Sequence, residues 1–170
     1  MTIVVQSCPI DIRRNTQMKL ASWTVEFVSH CLANQIGPHG EPDHFQRDST
    51  NAIIFSASWW HSAFTQAIEI CRMRGVKGSD ILVDLQVEAK TERYGRRYGD
   101  DYLRVHEAIA PGTQVRFTAV VQDHITTTML RALLERMGKS VGISPYGFRL
   151  GFGRFNVLAV HVQASDAAEI

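Results

Sequence analysis

A glycine-rich segment near the C-terminus, Gly138 to Arg154, has residue types that could hold a phosphate chain. It contains five of the twelve glycines in the sequence. Glycine lets the backbone approach a ligand closely and adopt positive φ, so successive N–H groups can converge on phosphate oxygens. The candidate nucleic-acid ligands in this segment are Lys139, Gly142, Tyr146, Arg149, Gly151, Gly153 and Arg154. The alternative is a glycine-rich turn whose aromatic side chains pack on a sheet.

This segment matches neither of two common nucleotide-binding motifs. It lacks the P-loop motif, in which Gly-Lys-Ser or Gly-Lys-Thr follows a glycine after four intervening residues at the start of a helix. It also precedes a predicted strand, whereas the dinucleotide-binding fingerprint joins a strand to a helix. We therefore expect no cofactor.

A second cluster lies between Lys90 and His106, where basic and tyrosine side chains alternate. Its basic members are Lys90, Arg93, Arg96, Arg97 and Arg104, and they are interleaved with Tyr94, Tyr98 and Tyr102. This mixture suits a sugar-phosphate backbone and unstacked bases. A solvated projection held by salt bridges explains the same pattern. Both interpretations stay open.

Two histidines are candidates for a catalytic proton-transfer group, because imidazole titrates near neutral pH. They are His61 and His106, and neither is paired by sequence with a nucleophile or an orienting carboxylate. His61 also lies at a predicted helix start, where free N–H groups can hold an anion. A further set, His30, Cys31, His39 and His44, matches no compact zinc module. We therefore expect no metal.

The elements that position these residues follow from hydrophobic periodicity. Strands are predicted at 19–28, 53–55, 81–89, 115–121 and 155–162, with a further short one at Ile3 to Val5. Helices are predicted from Ser56 or Ser58 to about Arg74 and from Thr126–Thr128 to Met137, with Gly75 and Gly138 as their stops. Residues 155–162 are apolar on both faces, which is typical of a central strand.

With 19–28 as the first strand, the order of the main elements is β, α, β, β, α, β. This order predicts an α+β, ferredoxin-like fold with an antiparallel sheet and two helices. The basic and aromatic cluster then forms an arm inserted between two strands.

Composition limits the possible functions and the number of domains. The chain has 170 residues, of which 45% are apolar, and we expect one domain over 1–162. Inserted loops are expected at about 37–50 and 90–106, and a flexible tail at 163–170. The formal charge is +1, from 18 basic and 17 acidic side chains. A polyanion site must therefore be a local concentration of charge.

The cysteines and the apolar runs bear on the compartment. Cys8, Cys31 and Cys71 are an odd number at wide spacings, which does not suit a disulfide framework. No apolar run approaches the ~18 residues of a membrane span. We therefore expect a cytoplasmic protein without membrane contact.

The motifs resemble those of the RAMP superfamily, whose members form CRISPR effector backbones and crRNA-processing nucleases. Gly142-Ile143, Arg149 and the run from Gly151 to Phe155 are similar to the family's glycine-rich signature, and Ile53 to His61 resembles its strand leading into the first helix. The chain also resembles uncharacterised phage and mobile-element proteins. Two departures are Ser144-Pro145-Tyr146, where the family has a compact basic turn, and His61, where lysine or arginine is common.

This resemblance implies a ferredoxin-like core, single-stranded RNA or DNA as ligand, and a homo-oligomer or filament along the strand, with other RAMP-like subunits as partners. Three functions remain open. The first is a non-catalytic binder that resembles a CRISPR backbone subunit. The second is a metal-independent endoribonuclease that uses His61 or His106. The third, favoured by the near-neutral charge, is a protein-interaction module of a phage or mobile element.

Overall fold

The computed structural model describes residues 17–33, 43–99 and 102–164. In chain order, its elements are β1 (Met18–Phe27), β2 (Cys31–Leu32), β3 (Gln46–Arg47), β4 (Ile53–Ile54), α1 (Ala57–Cys71), β5 (Ile81–Val83), β6 (Gln86–Val87), β7 (Glu92–Tyr98), β8 (Tyr102–Ile109), β9 (Gln114–Gln122), α2 (Thr127–Ser140), α3 (Gly147–Leu150) and β10 (Phe155–Val162). The strand expected at Ile3 to Val5 lies outside the described residues.

The main sheet has four strands in the order β10-β1-β9-β5, and every neighbouring pair is antiparallel. Along the chain these strands alternate with the two long helices in the order β1, α1, β5, β9, α2, β10. The expectation of a mixed α+β fold with antiparallel sheets is therefore confirmed.

One face of the main sheet is buried beneath α1 and α2. Alternate residues of β1 point inward, and Trp23 lies at the centre of an aromatic group. Its ring centroid is 5.7 Å from that of Trp60 and 6.3 Å from that of Phe64, both on α1, and 6.1 Å from that of Phe117 on β9. The helical spacing of the apolar residues in α1 thus predicts its buried face correctly.

The opposite face of the main sheet carries no helix in the described part of the chain. Its exposed apolar side chains include Leu20 and Leu82, which line a groove of about 630 Å³ together with Arg116 and His161. None of the predicted site residues lies on this face.

The second helix corrects one prediction, because Gly138 does not end it. The helix continues to Ser140, and Gly138 is buried against β10. A Cβ at this position would lie 2.2 Å from the carbonyl oxygen of Phe155, so the glycine permits close packing of helix on strand. The first helix also ends earlier than predicted, at Cys71, where Arg72 adopts the left-handed conformation ahead of Gly75.

Two strand predictions also need correction. The apolar run at 81–89 is divided between sheets, since β5 pairs with β9 whereas β6 joins a small sheet of order β3-β4-β6. Among the described strands β10 lies at the edge of the main sheet and not at its centre, and Asn156, Leu158 and Ala159 are exposed on it. Hydrophobicity could not separate these cases, because the buried partners of each strand come from distant parts of the sequence.

The basic and aromatic cluster forms a β-hairpin. Strands β7 and β8 pair antiparallel, and β2 adds a third strand on the other side of β8. The register places Tyr94 opposite His106 and Arg96 opposite Arg104. Since side chains alternate between the faces of a strand, these four residues share one face of the hairpin.

No helix among the described residues is long and apolar enough to span a membrane. Cys31 and Cys71 are free thiols, and Cys8 lies outside the described residues.

Candidate functional site

The glycine-rich segment folds back on itself between α2 and β10. Gly142, with φ of 78°, reverses the chain after α2, and its amide donates to the Met137 carbonyl at 2.8 Å. The Ile143 amide then donates to the Gly153 carbonyl at 2.9 Å, which closes the loop. The short helix α3 forms the outer part of this loop.

Three of the loop glycines are required by contacts inside the loop. A Cβ at Gly142 would lie 2.3 Å from the Phe152 carbonyl oxygen, and a Cβ at Gly153 would lie 2.5 Å from that of Ile143. At Gly147 the corresponding distance is 2.6 Å, to the Val141 carbonyl oxygen. By contrast, nothing lies within 4 Å of a Cβ built at Gly151.

The amide groups of the loop are largely used within the protein. The backbone amides that donate hydrogen bonds to acceptors within the protein are those of Val141, Gly142, Ile143, Tyr146, Gly147, Gly151, Gly153 and Arg154. These N–H groups are not free to converge on a phosphate, which corrects that part of the expectation. The side chains of the loop must make any contact with a polyanion.

A short segment after β1 anchors the loop. The Ser29 hydroxyl donates to the Gly151 carbonyl at 2.8 Å and accepts from the Arg154 amide at 2.9 Å. The Gly153 amide donates to the His30 carbonyl at 2.8 Å, and the Cys31 thiol donates to the Ile143 carbonyl at 2.9 Å. Sequence reasoning missed Ser29, because nothing local marks a residue whose partner lies 122 positions away.

Cys31 and His30 therefore have structural partners. Complete burial raises the pKa of the Cys31 thiol far above its usual value, so the thiol stays protonated. His30 Nε2 lies 2.7 Å from Glu92 Oε1. Among the described residues no group of three or more His, Cys, Asp or Glu side chains could hold a metal ion, and His39 is not among those residues.

The hairpin and the loop meet to form one surface. The guanidinium carbon of Arg96 lies 5.2 Å from the ring centroid of Tyr146 and 5.5 Å from that of Phe152. Tyr94 packs edge-on against Phe152, with 5.7 Å between ring centroids, and its ring is tilted against that of His30 at 4.4 Å. We call these five half-buried side chains the basic-aromatic surface. The structure thus brings together members of both sequence-predicted clusters, Tyr94 and Arg96 of the hairpin and Tyr146 of the glycine-rich segment.

Beneath this surface lies a buried charged group centred on Asp43, which is 2% exposed. Its Oδ1 accepts a hydrogen bond from Arg104 Nη2 at 2.8 Å, and its Oδ2 lies 2.7 Å from Arg104 Nε in an ion pair. His106 is fully buried, with Nδ1 lying 3.1 Å from Asp43 Oδ2 and 2.8 Å from the Ala33 carbonyl oxygen. Its ring packs edge-on against Tyr146 at 5.3 Å. Arg104 and His106 therefore support the surface from within.

A second carboxylate, Glu107, fixes the base of the hairpin. It accepts from the Phe45 amide at 2.9 Å and the Thr91 hydroxyl at 2.8 Å, and it pairs with Arg47. Burial acts to raise the pKa of Glu107, but these hydrogen bonds and the Arg47 charge outweigh it and hold the pKa below its ordinary value. The group therefore stabilises the fold above the ordinary carboxyl pKa, and this contribution is lost as pH falls.

The remaining predicted basic side chains lie outside the basic-aromatic surface. Arg93 and Arg97 alternate with Tyr94 and Arg96, so they occupy the opposite, exposed face of the hairpin. Lys90, Lys139 and Arg149 are exposed. The Arg154 guanidinium donates to the Lys139 carbonyl, and partial burial lowers the pKa of Arg154.

The two candidate catalytic histidines are not brought together. His106 has no solvent-exposed surface. His61 is exposed on α1 but faces the turn at Gly78, where a Cβ would lie 3.3 Å from His61 Nδ1. The helix residues that line the cleft beside the glycine-rich loop are Ser58, Trp59, Ser62, Ala63 and Gln66, and His61 is not one of them.

No protein-family model and no curated protein sequence matches the chain. Among solved structures, a chain of the type III-B Cmr-beta complex bound to cognate target RNA superposes with a TM-score of 0.59. The two chains are 11% identical, and the match covers 87% of this chain and 61% of the other. This protein thus spans about three fifths of the Cmr-beta chain. Csc2 of Thermofilum pendens is 11% identical, with a match that covers 94% of this chain and 71% of its own and a TM-score of 0.40.

At this identity the likeness concerns the fold alone. The chain shares the fold of the Cmr-beta chain, and this likeness confirms, at the level of the fold, the resemblance that its glycine-rich segment predicts.

Proposed function

We propose that this protein binds single-stranded nucleic acid without cleaving it and assembles side by side along the strand, as a backbone subunit of a CRISPR-like effector does. The observation that carries the proposal is the basic-aromatic surface, where Arg96 of the hairpin lies over Tyr146 and Phe152 of the loop. The proposal includes a ferredoxin-like core, which is supported by the antiparallel order β10-β1-β9-β5 and the crossing helices α1 and α2.

The chemistry of this surface suits an unpaired strand. Aromatic rings offer faces on which bases stack, and a guanidinium can both stack and pair with phosphate oxygens. The exposed cation Arg149 lies on α3 of the glycine-rich loop, and the exposed cation Lys139 lies in the last turn of α2, just before the loop. Because the net charge of the whole chain is only +1, this local arrangement must supply the attraction.

The placement of the histidines favours binding over cleavage. A general base must come within hydrogen-bond reach of the proton that it removes. The buried ring of His106 lies behind Tyr146, and His61 faces away from the loop cleft. We expect a labelled RNA to stay intact when it is incubated with this protein in EDTA.

Binding and assembly can be tested together with a labelled 40-nucleotide strand of RNA or DNA, long enough for several sites of the ~4 to 16 nucleotides usual for small folds. If about three phosphates are neutralised, a single-strand slope of about −0.7 per phosphate predicts a roughly 20-fold loss of affinity between 50 and 200 mM salt. Electron microscopy of the same samples should show a beaded or helical filament. Affinity that is independent of salt would contradict the proposal.

Substitution of Arg96 should weaken strand binding more than substitution of a comparable arginine elsewhere. We expect Arg96→Glu to weaken strand binding about 10-fold and to reduce the magnitude of the salt slope by about 0.7, because one phosphate or base contact is lost. The measurement is fluorescence anisotropy across a salt series.

The matched control is Arg116→Glu, which makes the same charge change on the exposed opposite face of the main sheet. It should leave affinity within about 2-fold, since screening over a Debye length of about 10 Å limits remote charges. Equal losses in the two variants would show that only net charge matters and would remove the basic-aromatic surface from the proposal.

A further inference from the structure

A cleft of about 390 Å³ separates α1 from the glycine-rich loop, and Arg96 is not among the residues that line it. Its helix wall carries Ser58, Ser62 and Gln66, which share one face because they are four residues apart. Its loop wall includes Ser144 and Pro145. The next residue, Tyr146, belongs to the basic-aromatic surface, so a strand held at Tyr146 passes close to the mouth of this cleft.

The polar groups of the helix wall present a donor beside an acceptor. Gln66 Nε2 donates to the Ser62 hydroxyl oxygen at 3.0 Å, which leaves the Ser62 hydroxyl hydrogen free to donate elsewhere. The other end of the Gln66 amide, Oε1, is shielded from water and accepts no hydrogen bond from the described residues. A buried carbonyl oxygen without a donor is unfavourable. The side chain as a whole is only half-buried, so a small rotation of the amide can offer this oxygen to a ligand.

Two aromatic side chains line the same cleft. Trp59 is held in place by Phe55 and Phe45, with ring centroids at 5.5 and 6.5 Å. Phe148, on α3, also lines the cleft and is 55% exposed. The cleft therefore combines a half-buried ring with an exposed one, which suits a planar ligand.

The charge of the cleft selects the kind of ligand. None of the described residues that line it carries a charged side chain. Phosphate and carboxylate groups would find no counter-charge there, whereas a neutral planar ring with a hydrogen-bonding edge would find stacking faces and a donor beside an acceptor.

We propose that this cleft binds one nucleobase of the strand, with Gln66 and Ser62 reading its edge and Phe148 covering its face. The inference rests on the proposed strand-binding function and adds a base preference to it. The basic-aromatic surface supplies affinity that does not depend on sequence, and the cleft supplies discrimination between bases.

The test compares the binding of 15-nucleotide homopolymers of adenosine, cytidine and uridine. We expect the unmodified protein to prefer one of them by at least about 5-fold, the lower limit for a good edge contact. Gln66→Leu should reduce this preference to less than about 2-fold while the salt slope stays unchanged. Ser62→Ala, an exposed position that is safe for folding, should reduce the preference in the same way.

Phe148→Ala and Gln163→Leu complete the design. Phe148→Ala should weaken binding of all three homopolymers by about 5-fold through lost stacking. Gln163→Leu changes an exposed glutamine outside the cleft and should have no effect. Thermal unfolding of each variant checks that the fold is intact.

The outcomes separate the two proposals. Equal affinity of the unmodified protein for all homopolymers, or a preference that survives both Gln66→Leu and Ser62→Ala, would overturn the base-binding cleft and leave strand binding in place. Failure to bind any homopolymer at low salt would overturn the proposed function, and the cleft inference with it.

Discussion

Replacing Gly142 by alanine will lower the free energy of unfolding by about 3 kcal/mol or more. Two costs combine at this position. An L-residue in the left-handed region costs about 1–2 kcal/mol, and Gly142 has φ of 78°. Overpacking costs about a further 1–3 kcal/mol, because the new Cβ would lie 2.3 Å from the Phe152 carbonyl oxygen. Urea unfolding measured by circular dichroism gives the change directly.

Gly151→Ala is the matched control for this substitution. Gly151 has nearly the same φ, 77°, in the same loop, but no atom lies within 4 Å of its added Cβ. Only the conformational cost remains, and we expect a loss of about 1 kcal/mol. If the two variants are equally destabilised, close packing inside the loop is not the reason for Gly142.

These glycines have a consequence for the function of the loop. Internal contacts require glycine at positions Gly142, Gly147 and Gly153. The first role of the glycine-rich signature is therefore structural, because it allows a tight reversal of the chain. This reversal of the chain places Tyr146 and Phe152 where the Arg96 guanidinium lies over their rings. A substitution at Gly142 should therefore impair strand binding through the displaced rings, although the Gly142 amide itself donates to Met137 within the protein.

Asp43→Ala is expected to destabilise the protein by about 3 kcal/mol, since removing one partner of a buried ion pair leaves the other uncompensated. Asp43 is 2% exposed and holds both Arg104 and His106, which lie on the hairpin face beneath Tyr146. Its loss should loosen the hairpin relative to the loop. Hydrogen exchange of the β7 and β8 amides, measured beside global unfolding, would detect that loosening.

An exposed ion pair provides the comparison for Asp43. Glu135 lies 3.9 Å from Arg131 one helical turn away, and both side chains are about half exposed. We expect Glu135→Ala to cost no more than about 0.5 kcal/mol. If Asp43→Ala lowers the free energy of unfolding by as little as Glu135→Ala, the buried charged group does not hold the hairpin in place.

Local patterns predicted the two long helices and the strands β1, β9 and β10, whereas β7 and β8 lie where an inserted loop was expected. The alternation in β1 and β9 and the helical spacing of Trp60, Phe64 and Ala67 arise within a few residues, so a short window contains them. Thr126 caps α2 by accepting from the Met129 amide, as its position before the apolar stripe suggests.

The same patterns failed where a distant partner decides the outcome. Gly138 has the sequence context of a helix stop, but contact with Phe155 makes it an internal packing position. Strand β10 is apolar enough for the centre of a sheet, yet β1 is its sole neighbour among the described strands. Composition within a strand carries no information about which strands lie beside it.

For the candidate site, the sequence by itself determined the two clusters, the glycine positions and the local nature of any polyanion site. Tertiary structure alone decided that Arg96 meets Tyr146 while Arg93 and Arg97 face away, that Asp43 holds Arg104 and His106, and that Gln66 faces a cleft beside the loop. The physical reason is distance along the chain. Arg96 and Tyr146 are 50 positions apart and Asp43 and Arg104 are 61 apart, and only closure of the whole sheet brings them within reach.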